Sequence, residues 1–247
     1  WLATVVVSGI SYLSYLLKRY VFHESGTLVS GIIGGLYSST ATISVLARKS
    51  RKASEQEATD YVAAMLLAVS MMFLRFMILI LIFSREIFLS IYPYLLTMAV
   101  VAAIVAWFIH SRQKRPEDQP AEIEEDDSSN PLEFKVALIF AVLFVIFTFL
   151  THYTLVYAGT GGLNLLSFVS GFSDITPFIL NLLQNTGSVA ALIITACSMQ
   201  AIISNIMVNM FYALFFAGKG SKLRPWILGG FGVVIACNLV LLLFFYI

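Results

Sequence analysis

Eight long apolar segments run through this chain, and they constrain its fold more than any other feature of the sequence. A helix needs roughly 20 mostly apolar residues to cross a bilayer. The chain has 247 residues, of which 59% are hydrophobic and 12% are charged, too few charges to cover a soluble domain of this size. The sequence therefore predicts an all-α integral membrane protein that contacts the lipid bilayer. The segments lie at about 1–17, 28–47, 59–83, 88–110, 132–152, 163–184, 187–217 and 225–247.

A clearly polar stretch, residues 111–131, separates two halves of the chain. It holds three Lys/Arg and seven Asp/Glu together with Pro and Ser, a composition typical of disordered or solvated connectors. We therefore expect a first membrane repeat at 1–110, a disordered acidic linker at 111–131 and a second membrane repeat at 132–247.

The two halves resemble each other at matching places. Residues 35–41 align with 171–177 in the second segment of each half, and residues 70–75 align with 204–209 in the third segment. The order and spacing of these matches predict an internal duplication, an architecture common in secondary transporters.

The positions of Lys and Arg decide between two membrane topologies. If all eight segments crossed, a strongly basic loop would face outside in either orientation, against the positive-inside bias. If the second segment of each half instead dips in and returns, the basic loops at 18–19, 48–52, 112–115 and 219–224 all face inside, with the N-terminus outside. This topology has six spans plus two re-entrant or broken helices, and it makes the halves an inverted repeat.

Glycine, serine and proline favour a break in the second segment of each half. Gly35 precedes Ser38 in the first half, and Gly171 and Pro177 flank Asp174 in the second. Non-helical backbone at membrane depth is tolerated only inside protein or beside water. The alternative is that these small residues merely allow helices to pack closely.

Asp174 and Arg75 are the two charged residues that lie at the centre of apolar segments. A charge there costs about 2.5–3.5 kcal/mol on insertion scales, so such residues pair or line a polar cavity. Their counterparts in the duplication are Ser38 for Asp174 and Asn209 for Arg75. We expect an Asp174–Arg75 contact where the two breaks meet near the midplane, and a purely structural ion pair is the alternative to a functional site.

Polar side chains around these two residues predict an oxygen-rich ion site. Mg²⁺ prefers oxygen ligands and keeps several waters, so one carboxylate with hydroxyls and amides would hold a partly hydrated ion, with Asp174 as the metal ligand. If Arg75 neutralises Asp174, an anion held by Arg75 and the N-termini of half-helices becomes the alternative. For Asn205 and Asn209, one helical turn apart, interhelical hydrogen bonding is the alternative. The predicted site comprises Asp174, Arg75, Ser38, Ser39, Thr40, Thr176, Asn205 and Asn209.

Several of these motifs resemble a known bacterial family. The run GGLYSSTAT at 34–42, the basic cluster at 48–52, MFLR at 72–75, NPLE at 130–133, GFSD at 171–174 and residues 201–205 are similar to the uncharacterised membrane domain that follows the MgtC/SapB-type domain in many bacterial proteins. The resemblance covers nearly the whole chain, although Asn209 stands where a Lys is expected in relatives. It implies a bacterial inner-membrane protein linked by name to magnesium homeostasis. It also implies a preceding membrane domain that is missing here, in line with a chain that starts at Trp1 inside an apolar run.

These observations give two hypotheses for function. The first is a transporter or channel-like protein for a small ion, with Mg²⁺ as one candidate substrate and no bound cofactor. The alternative is a non-transporting membrane regulator or scaffold that binds another membrane protein. An enzyme is not expected, since the sequence has no HExxH, nucleophile-elbow or paired-carboxylate motif. With a net charge of +1 and no basic stripe, nucleic acid is not an expected partner, and a homo-oligomer is left open.

Overall fold

The computed structural model describes residues 26–51, 53, 55–112, 134–184, 190–218 and 221–246, together with positions 5, 9 and 12. All regular structure in this described part is helical, which confirms the all-α fold. The rest of the first predicted segment and residues 113–131 of the predicted linker lie outside the described residues. The helices are α1 (Thr27–Lys49), α2 (Glu55–Phe83), α3 (Arg85–Ser111), α4 (Phe134–Ser170), α5 (Ile175–Gln184), α6 (Ala191–Ala217) and α7 (Arg224–Tyr246).

Six helical stretches are long and apolar enough to cross a membrane. Large apolar side chains such as Trp107, Phe149 and Phe244 are exposed on their surfaces, as expected where lipid covers the protein. The chain is therefore a multi-pass membrane protein. The six stretches are α1, Glu57–Phe83 of α2, α3, Val142–Gly159 of α4, α6 and Arg224–Phe244 of α7.

Helix α1 is broken in its middle at Ser38, where the backbone is extended (φ −157°, ψ 107°). A Cβ atom on Gly34 would lie 2.4 Å from Oγ1 of Thr42. Residues eight apart in a straight helix are separated by about 12 Å along the axis, so α1 folds back on itself at Ser38. Each arm is roughly 16 Å long, about half of the hydrocarbon core, so α1 does not cross as a single span although its total length and composition would allow it. The predicted break is present, and we call α1 the first hairpin.

The first arm of this hairpin packs closely against α2 and runs parallel to it. A Cβ on Gly31 would lie 2.3 Å from the carbonyl oxygen of Ala64, and one on Gly35 would lie 2.5 Å from Cα of Ala68. Only glycine leaves room for such a close approach of two backbones. Small residues therefore do allow close packing here, in addition to the break. Because the contacts advance together along both elements, both ends of the first hairpin lie toward the N-terminal end of α2.

Residues 161–184 form a second hairpin. Helix α4 kinks at Gly159 (φ 58°) and ends at Ser170, and a turn at 171–174 leads into the short helix α5. The predicted segment 163–184 is thus two short helices that meet at a break. The turn lies at the residues that the alignment pairs with the break in α1.

The first arm of the second hairpin runs parallel to α6. Ser167 Oγ donates to Oε1 of Gln200 at 2.8 Å, and Cys197 Sγ donates to Oδ1 of Asn164 at 3.6 Å. Both pairs are 33 residues apart, the same separation as in the glycine contacts between α1 and α2. Both ends of the second hairpin therefore lie toward the N-terminal end of α6, and the two halves share one local architecture.

The two hairpins enter the bundle from opposite ends. Arg51, which lies between α1 and α2, donates from Nη2 to the carbonyl of Phe215 at 3.2 Å and from Nε to the carbonyl of Phe216. The C-terminal end of α6 thus meets the N-terminal end of α2, so these helices are antiparallel and the halves are inverted. His110 Nδ1 lies 2.7 Å from Oδ1 of Asp60, which places the end of α3 there as well. We call this the basic end, since it carries Arg48, Lys49, Arg51, Arg112, Lys222 and Arg224.

The sequence leaves a gap between the predicted segments at 132–152 and 163–184, and in the structure this gap is helical rather than a loop. Helix α4 continues through these residues, with a kink at Gly159. Apolar residues such as Leu155 and Val156 extend the hydrophobic run there, and only the glycine in the left-handed region interrupts it. The connection between the span and the second hairpin is therefore a kink rather than a loop.

The alignment of the third segments is wrong by two residues. A Cβ on Gly171 would lie 2.4 Å from Cβ of Ser204. Gly35 meets Ala68 in the equivalent place, so Ser204 corresponds to Ala68 and not to Ser70. Close packing requires a small residue opposite the glycine, and alanine and serine both satisfy it. Asn209 is consequently not the counterpart of Arg75.

Candidate functional site

Ser38 and Asp174 begin the return arms of the two hairpins. Oγ of Ser38 accepts a hydrogen bond from the backbone N–H of Ala41 at 3.3 Å. Oδ1 of Asp174 accepts one from the backbone N–H of Thr176 at 2.9 Å. Both are N-caps, which satisfy backbone donors that the first turn of a helix leaves unpaired. The two aligned positions therefore have the same local role in both halves.

The guanidinium of Arg75 joins the two hairpin tips. Its Nη1 donates to the carbonyl of Tyr37 at 2.7 Å, and its Nη2 donates to Oγ1 of Thr176 at 2.6 Å. In a continuous helix the N–H of Ala41 would bond this carbonyl, but Ser38 takes that N–H instead. The break thus exposes a carbonyl oxygen at membrane depth, and Arg75 binds it.

The predicted direct contact between Arg75 and Asp174 is wrong. Thr176 lies between the two side chains. Thr176 accepts from Arg75 on its hydroxyl and donates its backbone N–H to Asp174. The carboxylate of Asp174 caps α5, so Asp174 and Arg75 are linked indirectly, each by one hydrogen bond to Thr176.

Both charged groups retain unused hydrogen-bonding capacity. Arg75 is half-buried and Asp174 is exposed. A guanidinium has five N–H donors, of which two are used here, so three have no partner within the described part of the chain. The hairpin tips therefore present N–H donors and a carboxylate side by side.

Asn205 and Asn209 form a second polar pair, on α6 beside the second hairpin tip. Nδ2 of Asn205 donates to the carbonyl of Gly171 at 3.2 Å, and Nδ2 of Asn209 donates to Oδ1 of Asn205 at 3.1 Å. Both side chains are buried. The predicted shared face is confirmed, and the pair supplies the hydrogen bonding between segments that was the alternative to ion binding.

The structure assembles half of the predicted site around Arg75. Thr176 bonds Arg75 directly, and Asp174 lies one hydrogen bond further, through the backbone N–H of Thr176. Ser38 directly follows Tyr37, whose carbonyl accepts from Arg75. Ser39 is buried and Thr40 is half-buried in the first turn of the return arm of α1. Sequence reasoning missed the carbonyl of Tyr37, because a side-chain inventory does not include backbone groups that only a helix break exposes.

A metal at this site would have few protein ligands. Across the described ranges no three His, Cys, Asp or Glu side chains are grouped so that they could hold a metal ion. Asp174 therefore contributes a lone carboxylate. A divalent ion bound there would keep most of its water shell, as Mg²⁺ commonly does.

Comparisons with known proteins find relatives whose descriptions give no activity. A family model described as "Domain of unknown function (DUF4010)" matches residues 5–217. An "Uncharacterized protein" from Aquifex aeolicus (strain VF5) is 25% identical over 227 residues, which are 90% of this chain and 96% of that protein. No solved structure matches the chain. The link to MgtC/SapB-type proteins stays a prediction.

Proposed function

This chain belongs to the family described as Domain of unknown function (DUF4010), and we propose that it moves a small ion across a bacterial inner membrane. The ion would pass the hairpin tips, where Arg75, Thr176 and Asp174 form the polar centre. The observation that carries the proposal is the arginine side chain that bonds both helix breaks at once.

Two features of this centre support transport over a purely structural role. Broken helices from inverted halves that meet inside the bilayer are the arrangement from which many secondary transporters build their ion sites. Irregular backbone at this depth is tolerated where it is buried in protein or lines a watery cavity. The exposed carboxylate of Asp174 and the unused donors of Arg75 fit the second case.

The chemistry of the tips allows two classes of ion. A cation such as Mg²⁺ would use Asp174 and retained water, in keeping with the resemblance to magnesium-linked proteins. An anion would use the free N–H groups of Arg75 and the N-terminus of the return arm at Ser38. We propose that the substrate is a small ion, and the flux assay decides whether it is a cation or an anion.

Flux in proteoliposomes tests the proposal. Purified protein is reconstituted, and uptake of Mg²⁺, Na⁺, chloride and phosphate is followed separately. We expect flux of one class, and we expect Arg75→Ala and Asp174→Ala to abolish it. Arg85→Ala and Glu86→Ala are matched controls, since these exposed residues begin α3 at the end of the bundle opposite the basic end.

Two results would count against the proposal. Unchanged flux in both Arg75→Ala and Asp174→Ala would show that these residues do not form the ion site. An absence of flux for every ion, in protein that is folded and correctly inserted, favours the regulator or scaffold, and a partner membrane protein should then co-purify with the chain.

A further inference from the structure

Four buried side-chain oxygens lack a hydrogen-bond partner in the part of the chain that the structure describes, and three of them belong to α6. They are Oγ1 of Thr195, Oγ of Ser198 and Oδ1 of Asn209; the fourth is Oγ1 of Thr151 in α4. The three α6 residues have no exposed surface at all. Such groups are rare in folded proteins, which pair nearly all buried polar atoms with protein or with ordered water.

The unpaired atoms share one face of α6. At about 100° per residue, Thr195, Ser198, Asn205 and Asn209 fall within about 80° of one another around the helix. From Thr195 to Asn209 they extend about 21 Å along the axis, roughly two thirds of the hydrocarbon core. We call these four residues the α6 polar face.

Other polar residues of α6 show that this face is distinct. Ser204 is equally buried, but its hydroxyl donates to the carbonyl of Phe168 at 2.7 Å. Gln200 accepts from Ser167 at 2.8 Å. These side chains face the first arm of the second hairpin and are satisfied by it. On the α6 polar face Asn205 bonds the carbonyl of Gly171 at the hairpin turn, whereas Thr195, Ser198 and Asn209 keep unpaired atoms.

We propose that the α6 polar face holds ordered water inside the bundle and forms a hydrated route beside the hairpin tips. Water is the ligand that suits these atoms, because it both donates and accepts. Asn209 offers an unpaired acceptor, and the hydroxyls of Thr195 and Ser198 can take either role. Buried water bound by two to four polar groups is a regular part of protein structure.

The route has one apolar step. Ile202 lies on the same face between Ser198 and Asn205 and is fully buried. It divides the face into two parts. Thr195 and Ser198 lie on the side of the N-terminal end of α6, and Asn205 and Asn209 lie on the side of the basic end. Apolar constrictions of this kind control water and ion passage in channels by dewetting.

The presence of water is independent of transport. Only the use of the face as an ion route rests on the proposed function. An experiment that measures water contact without flux can therefore fail or succeed separately from the transport assay.

Cysteine accessibility in the full-length protein tests the proposal. Ser198→Cys and Thr195→Cys are each placed in a Cys197→Ser, Cys237→Ala background and treated in proteoliposomes with methanethiosulfonate ethylammonium. Ser204→Cys is the matched control, since it changes a buried serine of the same helix whose hydroxyl already has a protein partner. Folding of each variant is checked by gel filtration.

We expect Ser198→Cys and Thr195→Cys to react at least about tenfold faster than Ser204→Cys, because thiolate is the reactive form and dry surroundings raise the pKa of a thiol. Two positions are used so that either decides the matter if the other variant does not fold. Reaction no faster than that of Ser204→Cys overturns the proposal. If flux is then still observed, the route is elsewhere; if labelling succeeds without flux, the water face stands and the transport proposal fails.

Discussion

Arg75 and Thr176 are joined by a hydrogen bond of 2.6 Å that connects α2 of the first half to the second hairpin. The same arginine bonds the carbonyl of Tyr37 in the first hairpin. A single side chain thus contacts both hairpins, which enter from opposite ends of the bundle. Movement of either tip must break or re-form a charge-assisted hydrogen bond.

Thr176→Val should loosen this connection. The variant keeps the shape of the side chain but leaves a guanidinium N–H without a partner, and hydrogen bonds to charged groups contribute roughly 1.5–3 kcal/mol. We expect thermal unfolding in detergent to show a loss of that size and flux to fall strongly. Thr176→Ser keeps the hydroxyl and should retain most of both. Equal behaviour of the two variants would show that the hydroxyl has no role.

Asp174→Asn separates capping from charge. Asn is about as good an N-cap as Asp, so the stability of α5 should change by only a few tenths of a kcal/mol, whereas Asp174→Ala should cost about 1 kcal/mol. If the charge serves ion passage, flux is lost in Asp174→Asn although the fold is kept. Ser38→Ala is the capping control in the other half, with a similar expected cost of about 1 kcal/mol and no change of charge. Full flux in Asp174→Asn would mean that Asp174 is a structural cap only.

The breaks at Ser38 and Asp174 could be predicted because their causes are local. Glycine, serine and proline disfavour an uninterrupted helical span. The positive-inside bias of the basic residues then indicates which ends of the segments lie on the same side of the membrane. The contact geometry could not be predicted in the same way. Sequence shows that Arg75 and Asp174 are both costly in a membrane, but not that Asp174 would cap α5 and leave Thr176 to meet the arginine.

The predicted alignment of the third segments was wrong by two residues for a related reason. An alignment rewards identical residues, and it therefore paired Ser70 with Ser204. Close helix packing instead depends on small side chains, and Ala68 packs against Gly35 as Ser204 packs against Gly171. The unpaired oxygens of α6 also escape sequence reasoning, since a polar residue reveals nothing about its partners until the neighbouring helices are in place.

Gly171→Ala should separate the second hairpin from α6. The added Cβ would lie 2.4 Å from Cβ of Ser204, and neither backbone can yield without moving a helix. Overpacking of this kind typically costs about 1–3 kcal/mol, which a thermal unfolding series in detergent can resolve. Gly229→Ala in α7 is the control, since a Cβ there meets nothing within 4 Å and alanine has the higher helix propensity. A neutral Gly171→Ala would contradict the close approach.

Side-specific labelling tests the inverted arrangement of the two halves. Arg51 ties the loop after α1 to the end of α6, so Lys49→Cys and Lys222→Cys should react with a membrane-impermeant maleimide from the same side of the membrane. Arg85→Cys, at the start of α3 and opposite the basic end, should react only from the other side. The variants are made without Cys197 and Cys237, and right-side-out and inverted vesicles are compared. The result depends on parity: if all eight segments crossed fully, the loops after α1 and after α6 would lie on opposite sides. Reaction of Lys49→Cys and Lys222→Cys from opposite sides would therefore exclude two re-entrant hairpins and, with them, the meeting of their tips at Arg75.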